Sequence, residues 1–204
     1  GGCGRGRSEG GRGEGRGRGR SDGQVIITKF WSCVVGPSDG VAVVGDRTGY
    51  EVELVAVVGR CCRNLAESEV WNALAGVTVG QDISDRALQT AAEPPQFSLG
   101  KSYDTFGPLG PAVVSVDLLA NRDDLALSCA VDGEVRQDSR TSRMIVGVEQ
   151  LVSYLSQVCT LQPGDLVFTG TPAGVGDPQG RCLKPGQRID SHIQGVGHLV
   201  NHCV

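Results

Sequence analysis

Apolar residues along this 204-residue chain occur mostly in short runs separated by turn residues, a pattern typical of β-rich proteins. The clearest strand covers 50–60 (YEVELVAVVGR), where polar and apolar positions alternate and then give way to a continuous apolar run. Residues 25–31 (VIITKFW) predict a strand or an extended segment, and 125–137 predict a hairpin that turns at Asp132-Gly133. An apolar strand at 166–168 and further strand and turn signals over 184–204 complete the pattern.

Helical periodicity is limited to a few places. The segment 147–160 predicts an amphipathic helix packed on a sheet, because its apolar residues recur at helical spacing: Val148, Leu151, Val152, Leu155 and Val158. Residues 66–84 predict a helix that becomes extended from Gly76, and 84–90 predict a short helix opened by a Ser or Asp cap. Many short strands and few helices indicate a β-rich α+β domain.

The first 23 residues differ in composition from the rest of the chain. They hold eleven of the 31 glycines, six arginines and no apolar residue except Cys3. Such a segment cannot bury enough surface to offset its conformational entropy, so we predict a disordered tail over 1–23 and one folded domain over 24–204. An RGG-like RNA-binding role is the less favoured alternative, since the segment contains acids and lacks aromatics.

Charge and cysteine content narrow the class of protein. Residues 24–204 carry 13 basic and 20 acidic side chains, a balance that does not indicate a nucleic-acid binder. The eight cysteines form no C-x-x-C pair, which favours reduced core residues. No run approaches the ~20 apolar residues of a membrane span, and the arginine-containing first residues lack the apolar h-region that a secretory signal needs. These features predict a cytoplasmic protein that does not bind membranes.

An acidic pair begins the clearest strand. Glu51 and Glu53 are two residues apart, so in a strand both carboxylates project to the same face. Close carboxylates repel each other unless a cation lies between them. Asp82, at a turn after an extended stretch, could complete an oxygen triad, which would select Mg²⁺ or Mn²⁺, with Ca²⁺ a further option. The alternatives are a solvated strand face for the pair and a helix cap for Asp82.

Two more segments contain candidate functional residues. Lys101 lies in an apolar, Gly-bounded stretch and could polarise a carbonyl or stabilise an enolate; the alternative is a surface lysine. The loop TGTPAGVG (169–176) has small residues whose backbone N–H groups can hold an anion, and Thr171 could add a hydroxyl donor. The alternative for this loop is an ordinary tight turn. The three histidines near the C-terminus have no ligand spacing and indicate structural or surface residues.

Four motifs together, in this order and spacing, resemble the fumarylacetoacetate hydrolase superfamily, which includes 2-hydroxyhepta-2,4-diene-1,7-dioate isomerases and acylpyruvate hydrolases. They are GYEVELVAVVGR, VGQDISDRALQ, FSLGKSYDTFGPLGP and LQPGDLVFTGTPAGVG, and the resemblance runs from about Gln24 to Val204. It implies a mixed β-sheet roll or barrel-like core with few helices, and a homodimer. It also implies that Mg²⁺ or Mn²⁺ is bound by three carboxylates, which match Glu51, Glu53 and Asp82. The residues that surround the substrate in the family match Arg86, Gln89, Lys101 and Thr171.

The resemblance implies a metal-dependent hydrolase or isomerase that chelates a small 2-oxo or enol acid. The metal would act as a Lewis acid, and Lys101 would be the catalytic residue that stabilises the enolate. C–C cleavage, decarboxylation and keto–enol isomerisation all pass through such an enolate, so the three remain open.

The N-terminus departs from the family pattern. Hydrolytic members carry a lid segment, G-x-N-Y-x-x-H-x-x-E, before the stretch matching TKFW, and its His and Glu activate water. Here that position holds the Gly/Arg sequence, which contains no His. The alternative function is therefore a lid-less, catalytically impaired homologue that binds metal and metabolite. Trp31 also stands where the family pattern has proline.

Overall fold

The computed structural model describes residues 25–204 of the chain, so the predicted tail over 1–23 lies outside the described residues. Strands account for most of the regular structure in this range. They are β1 Val34–Val35, β2 Thr48–Gly49, β3 Val52–Val58, β4 Leu74–Gln81, β5 Ser84–Asp85, β6 Gly107–Val114, β7 Ala126–Val131, β8 Glu134–Arg140, β9 Leu166–Phe168, β10 Arg188–Ile193 and β11 Gly197–His202. The α-helices are α1 Val70–Ala73, α2 Arg86–Gln89 and α3 Val148–Val158.

One mixed sheet contains the strand that the sequence predicts most clearly. Its strand order is β1-β6-β4-β3-β9, with β1 parallel to β6 and the other pairs antiparallel. All seven residues of β3 are buried, which explains why its sequence becomes continuously apolar. The predicted strand over 50–60 is confirmed.

A second, antiparallel sheet packs against the first. Its order is β11-β10-β7-β8, and both β10 and β11 contact β4. The predicted hairpin over 125–137 is confirmed as β7 and β8, joined at Asp132 and Gly133 with φ of 51° and 81°. Positive φ at both turn residues suits a two-residue turn whose twist matches the strands. The remaining strands, β2 and β5, pair with each other alone.

The helices agree with the sequence pattern. α3 buries Val148, Leu151 and Val152, as its periodicity predicts, but leaves Val158 exposed at its end. α2 is opened by Asp85, whose carboxylate accepts a hydrogen bond of 3.0 Å from the Ala87 amide. The helix predicted within 66–84 is short, and the extended part begins at Leu74 rather than Gly76. The observed fold is therefore the predicted β-rich α+β domain with few helices.

The strand alternative for 25–31 is wrong. Residues 25–30 have no regular structure, and a 3-10 turn follows at Trp31–Cys33. β-branched residues favour a strand only where a neighbouring strand edge is free, and this segment is held by side chains instead. The Phe30 amide donates to Ser102 Oγ at 3.1 Å, and its backbone is extended. Separately, no helix within 25–204 combines the length and apolar character needed to cross a membrane.

Candidate active site

Three carboxylates converge where β3 begins and β4 ends. Glu51 and Glu53 lie at the start of β3, and Asp82 follows β4, its amide donating to the Glu51 carbonyl at 2.9 Å. One carboxylate oxygen from each residue lies within 4.8 Å of the others, and all three side chains are buried. The solvated-face alternative is therefore wrong for the pair. The cap alternative is wrong for Asp82, because Asp85 caps α2.

Burial makes this arrangement costly without a cation. Burial first, then Asp82 and Glu51, raise the pKa of Glu53 to about 8. Among the described residues, only the Gly170 amide donates a hydrogen bond to the Glu53 carboxylate, at 2.8 Å. Glu53 forms no ion pair with the residues that the structure describes. A buried carboxylate of this kind, beside two further carboxylate oxygens, fits the all-oxygen donor set that a hard divalent cation prefers.

Lys101 lies directly against this cluster. It ends a 3-10 turn, is 6% exposed, and its Nζ is 2.8 Å from Glu51 Oε2 and also bonded to Asp82. The surface-lysine alternative is therefore wrong. Burial alone would lower the pKa of Lys101, but Asp82 and Glu51 outweigh it and raise that pKa. The side chain is thus an ammonium at neutral pH and can act as a cation or a proton donor.

The sequence did not single out a second, partly buried lysine, Lys29. Lys29 Nζ donates to Asp82 Oδ1 at 2.7 Å, to the Phe106 carbonyl at 3.0 Å and to the Lys101 carbonyl. It also lies 5.9 Å from the centre of the Phe168 ring. Lys29 lies inside the apolar run VIITKFW, as Lys101 lies in an apolar stretch, so the same sequence signal could have identified it.

The structure brings the predicted substrate residues near the cluster in different ways. Arg86 is bonded to Glu51, lines the cavity beside the carboxylates, and donates from Nη1 to Gln89 Oε1 at 3.1 Å. Gln89 itself is buried behind Arg86, and its Nε2 has no partner among the described residues. Direct substrate contact by either residue stays a prediction.

Thr171 lies in a turn that is bonded to β3. After β9, the Thr169 hydroxyl donates to the Leu54 carbonyl at 2.8 Å, and the Thr171 hydroxyl donates to the Val52 carbonyl at 2.9 Å. Thr171 Oγ1 also accepts from Gln137 Nε2 at 2.8 Å. Its hydroxyl proton is therefore used within the protein, and a contact between Thr171 and substrate stays a prediction.

A cavity of about 1110 Å³ extends from the carboxylates. Its lining includes the polar residues Arg86, Lys101 and Thr171, apolar residues such as Phe168 and Met144, and the segment 25–31. The three histidines are exposed on β10 and β11, as predicted, and none is among the described residues that line this cavity: His192, His198 and His202.

Known proteins resemble this chain in sequence and in structure. The family model described as Fumarylacetoacetate (FAA) hydrolase C-terminal matches residues 14–204, beginning inside the Gly/Arg segment. A fumarylacetoacetate hydrolase domain-containing protein 2 homolog from Dictyostelium discoideum is 40% identical over 191 residues, which cover 87% of this chain and 63% of the relative. A mitochondrial oxaloacetate tautomerase from Bos taurus is 38% identical over 184 residues, covering 88% and 59%. The chain thus spans about three fifths of the length of these relatives.

Solved structures match over a similar share of the chain. The 2-hydroxyhepta-2,4-diene-1,7-dioate isomerase from Mycobacterium marinum has a TM-score of 0.82 and 35% identity, covering 91% of this chain and 70% of that one. A maleylpyruvate hydrolase from Sphingobium sp. SYK-6, solved with manganese(II) and pyruvate, has a TM-score of 0.79 and 29% identity, covering 89% and 65%.

These relatives also correct one prediction. The cytoplasmic location predicted from composition is wrong, because several of the curated relatives are mitochondrial by name. The physical reason is that targeting segments direct location, and neither the composition nor the fold of a domain carries that information.

Proposed function

The chain belongs to the fumarylacetoacetate hydrolase family, and from this premise we propose that it is a metal-dependent hydrolase or isomerase that acts on a small 2-oxo or enol acid through an enolate. The observation that carries the proposal is the buried cluster of Glu51, Glu53 and Asp82 with Lys101 in contact with two of its carboxylates. Because the chain spans only part of its relatives, the activity of the whole protein belongs to the proposal.

The proposed cation is Mg²⁺ or Mn²⁺, with Ca²⁺ a third option, held by Glu51, Glu53 and Asp82. The all-oxygen donor set supports it, as does the manganese ion in the related maleylpyruvate hydrolase. When bound, such a cation supplies Lewis acidity toward the oxygen of a 2-oxo acid.

The protein's own groups would then bind and polarise the substrate. The Lys101 ammonium, which lines the cavity beside the carboxylates, would stabilise negative charge on an enolate oxygen. The Arg86 guanidinium offers planar, paired donors to a carboxylate of the substrate. Gln89 Oε1 accepts a hydrogen bond from Nη1 and so fixes one edge of that guanidinium. The 169–171 turn also lines the cavity, and Thr171 would contact the substrate there.

Isomerisation is the reaction that the site supports best. Keto–enol exchange needs a proton moved between carbon and oxygen, whereas hydrolysis also needs an activated water. Histidine, a common water-activating base, is not among the described residues that line the cavity. Relatives named as an oxaloacetate tautomerase and a heptadienedioate isomerase are consistent with this choice.

A metal-supplemented substrate panel tests the proposal. The purified chain, stripped of metal, is assayed with oxaloacetate, 2-hydroxyhepta-2,4-diene-1,7-dioate, maleylpyruvate and an acylpyruvate, with and without Mg²⁺ or Mn²⁺. We expect metal-dependent enol–keto exchange with at least one acid, and its loss in Glu53→Gln. Turnover that persists in excess chelator would remove the metal from the mechanism.

A second candidate is a catalytically impaired homologue that binds metal and metabolite. The lack of histidine in the Gly/Arg segment and in the described cavity lining favours it. In that case Mg²⁺ raises the melting temperature while no acid in the panel turns over. Turnover of any of them rejects this candidate.

We also propose a homodimer. Large apolar side chains are exposed along the cavity wall, among them Trp31 at 86% and Ile145 at 97%. Contiguous exposed apolar surface marks an interaction site in soluble proteins. Light scattering should give twice the 21.3 kDa chain mass at micromolar concentration, and Trp31→Ser with Ile145→Ser should shift it toward the monomer. A monomeric wild-type protein would contradict this proposal.

A further inference from the structure

The start of β3 pairs with β4, but two of its backbone amides donate to side chains. The Glu51 amide donates to Gln81 Oε1 at 2.9 Å, and the Val52 amide donates to Gln137 Oε1 at 3.0 Å. Gln137 is 1% exposed and comes from β8, in the other sheet. The peptide between the two acidic residues of β3 therefore depends on a distant amide for its hydrogen bonding.

The orientation of the Gln137 amide follows from its partners. The Val52 amide can only donate, so Gln137 Oε1 faces it. The Pro172 carbonyl can only accept, so Nε2 faces it, at 3.0 Å. The second Nε2 proton goes to Thr171 Oγ1 at 2.8 Å, which directs the Thr171 hydroxyl proton to the Val52 carbonyl. One side chain thus connects β3 to the 169–171 turn and uses all its donors.

A β-bulge turns Gln137 inward. Cys129 pairs with Gln137 and Ala130 pairs with Val135, so Arg136 is an extra residue in β8. In a regular strand Val135 and Gln137 would share a face, yet Val135 is exposed and Gln137 is buried. The loop after the turn packs on this bulge, since a Cβ on Gly174 would lie 2.1 Å from the Arg136 carbonyl oxygen.

We infer that Gln137 is a positioning residue for the proposed reaction: it fixes the start of β3, which carries Glu51 and Glu53, relative to the Thr171 turn. The inference rests on the proposed function and deepens it. Gln137 touches neither carboxylate, and it is not among the described residues that line the cavity. Its effect on metal and substrate therefore passes through the Val52 peptide and the turn.

The test compares Gln137→Met, which keeps the volume but loses every hydrogen bond, with Ser156→Ala. Ser156 is fully buried and also makes two hydrogen bonds through its side chain, but to Leu65 and Ser153, which lie outside the described cavity lining. Loss of groups that orient metal ligands typically costs about 10–100-fold in affinity or activity. We expect a loss of this size in both Mn²⁺ affinity and kcat for Gln137→Met. Ser156→Ala should lower the melting temperature by a similar amount but leave Mn²⁺ affinity and kcat unchanged.

Hydrogen exchange gives a readout that does not depend on activity. Segments 50–54 and 169–174 should exchange about tenfold faster in Gln137→Met than in wild type, and at the wild-type rate in Ser156→Ala. If Gln137→Met does not fold, Gln137→Glu keeps the shape and the acceptor for Val52 but opposes the Pro172 carbonyl, and the same changes are expected. Wild-type exchange in both segments overturns the inference. If the wild-type protein neither binds Mn²⁺ nor turns over any acid, the proposed function is contradicted instead. The hydrogen-exchange rates of the two segments then still test whether Gln137 positions them.

Discussion

At the scale of residues, the acidic cluster is balanced by cations from other parts of the chain. Lys29, Lys101 and Arg86 each contact at least one of the carboxylates. Removing one partner of a buried ion pair typically costs about 3–5 kcal/mol, because the other charge is left uncompensated. Stability and chemistry therefore depend on the same side chains, and experiments have to separate the two.

Lys101→Ala should lower turnover much more than metal affinity. The ammonium contacts two carboxylates but offers no lone pair to a cation, whereas loss of a donor to an oxyanion costs about 10²–10³ in kcat. Turnover is measured at saturating metal and Mn²⁺ affinity by titration, with Lys184→Ala, a change at an exposed lysine, as the control. A normal kcat in Lys101→Ala would exclude the lysine from the mechanism.

Glu53 should make the stability of the metal-free protein depend on pH. Its pKa rises from 4.5 to about 8 on folding, so between these values the folded protein keeps a proton that the unfolded chain releases. The melting temperature should therefore fall as the pH rises through that window. The dependence should be weaker in Glu53→Gln and unchanged in Glu134→Gln, an exposed control. Equal slopes in Glu53→Gln and wild type would contradict the assignment.

At the scale of elements, the loop after β9 depends on one glycine. Gly174 has φ of 109°, and a Cβ there would lie 2.1 Å from the Arg136 carbonyl oxygen of the bulge in β8. Its own carbonyl accepts a hydrogen bond of 3.1 Å from the Tyr50 hydroxyl. A side chain at this position would push the loop, and the Thr171 turn with it, away from β3.

Gly174→Ala should therefore reduce both stability and turnover. Gly180→Ala is the matched control, because Gly180 also has positive φ, 65°, but open space around it. Left-handed backbone costs a non-glycine residue about 1–2 kcal/mol, and only that loss is expected at Gly180. Calorimetry and kinetics on the two variants separate backbone strain from the steric clash. If both variants lost the same stability and turnover, the clash predicted between the new Cβ at Gly174 and the Arg136 carbonyl would not affect the protein.

Elements with a strong local pattern were predictable from the sequence. The apolar run of β3, the Asp132-Gly133 turn and the periodicity of α3 each determine a structure locally. The segment 25–31 has the composition of a strand but lacks a partner edge, which no local pattern reveals. Gln137 was missed for the same reason: its burial depends on a bulge and on the second sheet.

At the scale of the whole molecule, the candidate site combines segments that are far apart in the chain. The cavity brings together side chains from five segments of the sequence: Lys29, Glu51 and Glu53, Asp82 and Arg86, Lys101, and residues 169–171. The three carboxylates and Lys101 could be identified from the sequence, because the motifs that contain them have the order and spacing of a known family. Pairing between Lys29 and Asp82, 53 residues apart, needs the folded chain.

Metal binding should stabilise the entire domain. A ligand at about 100 times its Kd adds about 2.7 kcal/mol to the free energy of unfolding. For a domain of this size, that corresponds to a rise in melting temperature of about 5–11 °C. Thermal shift with Mg²⁺ or Mn²⁺ measures it, and Glu53→Gln should show a much smaller rise. The same melting temperature with and without either ion would argue against a metal site.

The exposed Trp31 has a practical consequence. The chain has two tryptophans, and while Trp31 lies on the cavity wall in contact with water, Trp71 is buried. Acrylamide should therefore quench the fluorescence of Trp31 much more strongly than that of Trp71. A small acid or a second subunit that binds at the cavity would shield Trp31 from water and shift its emission to shorter wavelength. Occupancy can thus be followed optically, without attaching a dye.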